Sequence, residues 1–205
     1  MVESHATPLH VTKESLLRLA RTRPIDAVDR YLLNRERPAH VFQSDWKQHE
    51  EFRAAVADLL EVDRAGVAVV GSASLGFSAK PESGVFGRPF GMASDIDLVV
   101  VSSFLFDEAW SVLLSNWGRT YTLTRTTRQQ YKLHHKFVFR GWIYPEAFPK
   151  MIPFARNWFH SLQTLARQTT AEAYPIKARL YRTWMHARRY HLDGAEKLTD
   201  LSEGN

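Results

Sequence analysis

The chain has 205 residues, of which 44% are hydrophobic, 24% charged and 12% aromatic, a profile that predicts one domain with a substantial extension and excludes wholesale disorder. No apolar run approaches the roughly 18 residues of a membrane helix, and the opening residues form neither a basic nor an apolar leader, so a cytoplasmic, non-membrane protein is expected. The absence of cysteine excludes disulfides, cysteine-ligated zinc and thiol nucleophiles. The net charge of +5 is unevenly spread: between Ala109 and Leu192, 14 Lys/Arg stand against Glu146 and Glu172, giving +12, and the remainder carries −7. So basic a stretch suits RNA or another polyanion, or docks on the acidic remainder of the chain or on a protein partner.

In chain order, Thr12 caps a helix containing Leu16, Leu17 and Ala20, and Pro24 opens a second with Ile25, Val28, Tyr31 and Leu32. Ser44-Asp45 starts a third, whose Trp46, Phe52, Val56, Leu59 and Leu60 follow helical spacing. Val67 to Val70 is a short buried strand ending at Gly71-Ser72, followed by a glycine-rich loop. Ile96 to Val101 is a second strand, and Phe106 to Leu114 a helix. Aromatic and β-branched content predicts strands over Arg119 to Leu123 and His134 to Ile143. Two helices follow, Phe154 to Arg167 and Ile176 to His191, and a frayed tail from Asp193. The divisions expected are an N-terminal helical segment over 1–65, a core over 66–150, C-terminal helices over 151–192 and a tail over 193–205.

Residues two apart on a strand share a face, so Asp95 and Asp97 point the same way while Ile96, Leu98 and Val100 are buried on the other. Two carboxylates that close repel unless a cation sits between them, and Mg²⁺ characteristically takes one or two protein carboxylates plus phosphate oxygens. Upstream, Gly71-Ser72 ends a strand with backbone amides free, and these together with the Ser72 hydroxyl suit phosphate. Taken singly, each motif is also the pattern of a solvated strand end or an ordinary turn.

In order, the two segments resemble the signature of the polymerase-β-like nucleotidyltransferase superfamily: strand, Gly-Ser, helical turn, then two acids separated by one apolar residue. The likeness covers about Gly66 to Val101. It implies an α+β fold, a mixed β-sheet flanked by helices with helical N-terminal and C-terminal extensions. The implied activity is Mg²⁺- or Mn²⁺-dependent transfer of NMP from an NTP such as ATP to a hydroxyl of RNA, protein or a small molecule. On that likeness Asp95 and Asp97 are the catalytic metal ligands, and Gly71 and Ser72 hold the triphosphate.

Two features depart from the pattern. The interval from Ser72 to Asp95 is long, and Lys80 to Gly91 within it reads as a mobile lid from which Arg88 reaches phosphate. Active members usually carry a third acid on a later strand, yet His134 to Ile143 has none, and Glu146 is the nearby substitute. The alternative is therefore a catalytically degenerate member that binds nucleotide or RNA or serves as a partner subunit; an interaction protein with a solvated Asp-x-Asp is a third reading. His134 or His135 is a candidate base. At about 100° per residue, Arg179, Arg182, His186 and Arg189 fall in one sector of the last predicted helix, which makes Arg179 and Arg182 candidate triphosphate ligands.

Overall fold

Thr12 caps α1 (Lys13–Thr22) through a reciprocal capping box with Ser15, and Pro24 occupies the first turn of α2 (Pro24–Ala27). The computed structural model describes residues 11–118, 120–122, 124–147, 153–168 and 174–200. Asp45 caps α3 (Trp46–Leu60) by accepting from the Gln48 amide. These caps satisfy amides that the first helical turn leaves without partners, and each is expected to contribute about 1 kcal/mol.

The fold is mixed α+β: among the described residues, eight helices surround a four-stranded open sheet of order β1-β2-β4-β3. Strand β1 (Val67–Val70) leads directly into the short helix α4 (Gly71–Leu75). It pairs antiparallel with β2 (Ile96–Val101), which pairs in parallel with β4 (Ile176–Tyr181). Strand β3 (Trp142–Ile143) closes the far edge antiparallel to β4. Helices α5 (Ser103–Trp117) and α6 (Arg125–Phe139) follow β2, and α7 (Pro153–Gln168) precedes β4. Helix α8 (Trp184–Lys197) follows β4.

Strand periodicity sorts the core. Ile96, Leu98 and Val100 join Val67, Val69, Ala178 and Leu180 in the cluster that includes Val56, Leu113, Tyr131 and Trp158. Val99, Val70, Ala68 and Tyr181 point the other way and meet Ala187 and Trp184 of α8. Helices α1 and α2 pack against the outer side of α8, around Leu16, Ala27, Val28 and Leu192.

Several sequence expectations are corrected here. His134 to Ile143 is mostly α6, with only Trp142 and Ile143 in a strand. Thr124 caps that helix, and Tyr131, His134 and Val138 recur at helical spacing, so amphipathic periodicity overrides aromatic content. Between Arg119 and Leu123, Thr120–Thr122 forms a 3₁₀ turn, and the two end residues lie outside the described set. Ile176 to His191 divides into β4 and α8. Alternation places Ala178 and Leu180 in the core and Lys177 and Arg179 on the opposite face. Strand β4 lies inside the sheet, between β2 and β3, so the sheet draws on residues beyond 150 as well as before it. Of the expected tail, residues 193–200 are packed, with Ala195 and Leu198 fully buried, and residues 201–205 lie outside the described set. Among the described residues no helix is long and apolar enough to cross a membrane.

Candidate functional site

The site forms where β1 ends and β2 begins. Val70 pairs with Asp97 across the two strands, so the residue after Val70 passes over the Asp97 side chain. That residue is Gly71, with φ +65°, and a Cβ placed on it would lie 3.1 Å from Asp97 Oδ2. Glycine is needed there for both conformation and approach. No side chain caps α4 at its start, so the amides of its first turn, Ser72 included, remain available at the same corner.

Asp95 and Asp97 act on one another. Burial, followed by repulsion from Asp95, holds the Asp97 carboxyl above the usual carboxylate range, while Arg179, Lys177 and Lys80 pull it back. Lys177 is the partner of Asp97 in the parallel register of β2 and β4, and its ammonium bonds to the Asp95 carboxylate. That bond raises the Lys177 pKa above its ordinary value. The corner thus gathers two carboxylates and three cationic side chains, with Lys177 already paired to Asp95.

Arg179 belongs to this corner by a different route from the one its sequence spacing suggests. It lies on β4, with its guanidinium 4.5 Å from the Tyr190 ring centre, 5.2 Å from Trp142 and 5.6 Å from Tyr144. Three aromatic faces surround the cation, and its charge draws the Asp97 pKa down. Arg182 is not brought to the site: it is exposed, and its Nε lies 3.2 Å from Asp107. His186 contacts Thr183 and Arg189 faces Asp193, both on or beside α8, so the expected basic sector of a single helix does not exist.

Arg88 is exposed, and the loop cation that acts on Asp97 is Lys80. The loop itself is pinned more firmly than its glycines suggest. Ser78 N donates to Arg88 O and Gly87 N to Ser78 O, both at 2.8 Å, and Phe86 meets Phe77 edge-on.

Glu146 does not complete a carboxylate triad. Its Oε1 accepts from the Ala178 amide at 2.8 Å, satisfying a β4 backbone group beyond the end of β3. Its buried Oε2 lies beside the Trp158 indole without completing a hydrogen bond, and burial pushes its pKa up. Among the described residues no group of three His, Asp or Glu side chains could hold a metal. His134 is a buried strut, with Nδ1 2.7 Å from Gln130 O and Nε2 3.2 Å from Tyr144 O, and burial lowers its pKa. His135 lies on the outer side of α6, in the wall of a surface groove.

Sequence reasoning missed Lys177, Lys80 and the aromatic cage of Arg179. The period-two pattern of Ile176-Lys-Ala-Arg-Leu-Tyr181 was the available signal, masked by the helical spacing of the arginines around it. No protein-family model, no curated protein and no solved structure matches this chain.

Proposed function

We propose that the chain is a metal-dependent nucleotidyltransferase of the polymerase-β-like kind, which transfers NMP from an NTP to a hydroxyl acceptor on RNA, protein or a small molecule. The observation that supports this best is the seating of Gly71 on Asp97, with Asp95 and three cations around the same corner. The reaction joins the acceptor oxygen to the α-phosphorus, releases the hydroxyl proton to solvent and breaks the bond to the departing pyrophosphate. Mg²⁺ or Mn²⁺, when bound, would neutralise charge on the triphosphate and on that leaving group.

Two adjacent carboxylates suit one such ion if nucleotide oxygens complete its shell, as hard cations commonly arrange. In this reading Asp95 and Asp97 would hold the ion, and Asp95 would no longer bond Lys177. Lys177, Arg179 and Lys80, together with the Ser72 hydroxyl, would supply contacts to the phosphates. Arg179 needs little reordering, because its aromatic surroundings already fix it.

A second reading, a degenerate member that binds nucleotide or RNA without turnover, draws support from the Lys177–Asp95 pair and from Glu146 being committed to the β4 backbone. Purified protein supplied with Mg²⁺ or Mn²⁺ and each NTP, followed for pyrophosphate release, separates the two. Release abolished by Asp97→Asn supports the enzyme. Metal-dependent NTP binding without release supports the degenerate member, and neither binding nor release rejects both.

A further inference from the structure

The helices α5 and α6 leave an apolar groove open to solvent. Trp110, Leu113 and Leu114 of α5 and His135, Val138 and Phe139 of α6 line a cavity of about 340 Å³. Phe139 is 91% exposed, Leu114 is more than half exposed and Trp110 is nearly half exposed. Contiguous apolar surface of this sort, rimmed by charge, marks an interaction site.

On the α6 side the rim has one sign, and Asp107, which shares the Trp110–Leu114 stripe of α5, is paired with Arg182. No Asp or Glu occurs from Ala109 to Pro145. On α6 the exposed Arg125, Lys132 and Lys136 fall within a sector of about 40° at 100° per residue, beside Phe139, and the exposed Arg140 follows the helix end. Trp110 and Leu114 occupy the facing side of α5, so the groove is an apolar slot with a basic lip.

Charge and shape choose the occupant. A second copy meeting this surface face to face would set one basic lip against another, an opposition that disfavours self-pairing. A planar lipid surface does not fill a slot between two helices. An oligonucleotide stacks successive bases on a row of flat faces, whereas the exposed lining offers Trp110 and Phe139 alongside aliphatic Leu114 and Val138, a mixture suited to the apolar side chains of a peptide. The apolar ridge of a helix, with side chains at i, i+3 or i+4 and i+7, has the shape to enter it.

We propose that the α5–α6 groove is a docking site for an amphipathic, acidic helix of a partner protein, its apolar ridge seated between Trp110 and Phe139 and its carboxylates facing Arg125, Lys132, Lys136 and Arg140. This inference is independent of the nucleotidyltransferase reading. Helix α5 packs on the face of the sheet occupied by Leu98, and Asp97 projects from the opposite face.

The test uses a phage-displayed library of random 16-residue peptides selected against the full chain. Two further probes are a single-stranded RNA oligonucleotide and phosphatidylserine vesicles. The expected selection carries net negative charge with apolar residues at i, i+3 or i+4 and i+7. Synthetic versions should bind in a salt-sensitive manner and lose about tenfold or more in affinity with Phe139→Ser and with Lys132→Glu/Lys136→Glu. Both variants change exposed positions, and circular dichroism verifies that they fold. Failure to enrich any peptide, enrichment of neutral or basic ones, or equal binding by wild type and variants would overturn the proposal. So would binding of the RNA or the vesicles, lost with Phe139→Ser, in place of the peptides.

Discussion

The ammonium of Lys177 rests on the carboxylate of Asp95, and the strand register that puts it there also sets Lys177 opposite Asp97. On the proposed function, this lysine competes with a divalent ion for the same oxygen. Both partners are partly exposed, so the pair itself should contribute only about 0–1 kcal/mol to folding. Lys177→Gln is therefore expected to leave unfolding nearly unchanged and to tighten nucleotide-free Mn²⁺ binding by up to about fivefold, as removal of a competing interaction of up to about 1 kcal/mol would do. Titration of the free Mn²⁺ resonance reads this directly, and equal affinity in wild type and variant would show that Lys177 does not guard the carboxylates.

Gly71 makes a second prediction that needs no ligand. An alanine there must hold φ +65° and place its Cβ 3.1 Å from Asp97 Oδ2. The left-handed backbone alone costs about 1–2 kcal/mol, and the contact pushes the Asp97 side chain from its place. Gly71→Ala should lower stability by that amount in urea titrations and weaken Mg²⁺-NTP binding beyond what the stability loss accounts for. A variant as stable as wild type would mean that β1 can leave the turn by another path.

Much of this arrangement was legible in the sequence wherever one local rule decided the outcome. The caps at Thr12 and Asp45 and the burial of Ile96, Leu98 and Val100 follow from short-range patterns, whereas the meeting of Gly71 with Asp97, set by the pairing of β1 with β2, was expected only from the resemblance of the two segments to a known signature. What was not legible depended on long-range pairing. Residues 176–181 become a strand because β2 offers its free edge, a fact held about 80 residues away in the chain. The same pairing carries Lys177 and Arg179 into the site and takes Arg182 out of it. Helix α6 was hidden because aromatic and β-branched content weighs toward strand, whereas tertiary packing of Tyr131 and His134 decides for helix. Glu146, the expected substitute acid, was claimed by a backbone amide that only the three-dimensional edge of β4 exposes.

A buried histidine gives the protein an acid sensitivity of its own. His49 is 3% exposed, stacks on Phe42 and accepts the Ala39 amide at Nδ1. Burial, then the nearby Arg53, lowers its pKa from 6.5 to about 4. The folded state keeps the ring neutral while the unfolded chain protonates it. The associated stability is thus complete above pH 6.5 and is lost as pH falls toward 4. At pH 5 the loss from this group is about 2 kcal/mol. Urea unfolding between pH 7 and pH 5 should show a smaller fall for His49→Phe than for wild type, even if the variant starts lower for want of the Ala39 bond. Parallel pH profiles would contradict the assignment.

The central claim, that Asp95 and Asp97 bind a metal–nucleotide complex beside Gly71, is tested most directly by the thermal shift that Mg²⁺-NTP produces in wild type and in Asp97→Asn. Removing one of two crowded carboxylates relieves repulsion, so the variant should fold as well as wild type or slightly better without ligand. Ligand that binds only the folded state raises the melting temperature in proportion to its occupancy. The account predicts a clear Mg²⁺-dependent shift in wild type with at least one NTP and none in Asp97→Asn. Equal shifts in both proteins, or no shift in wild type with any NTP, would contradict it.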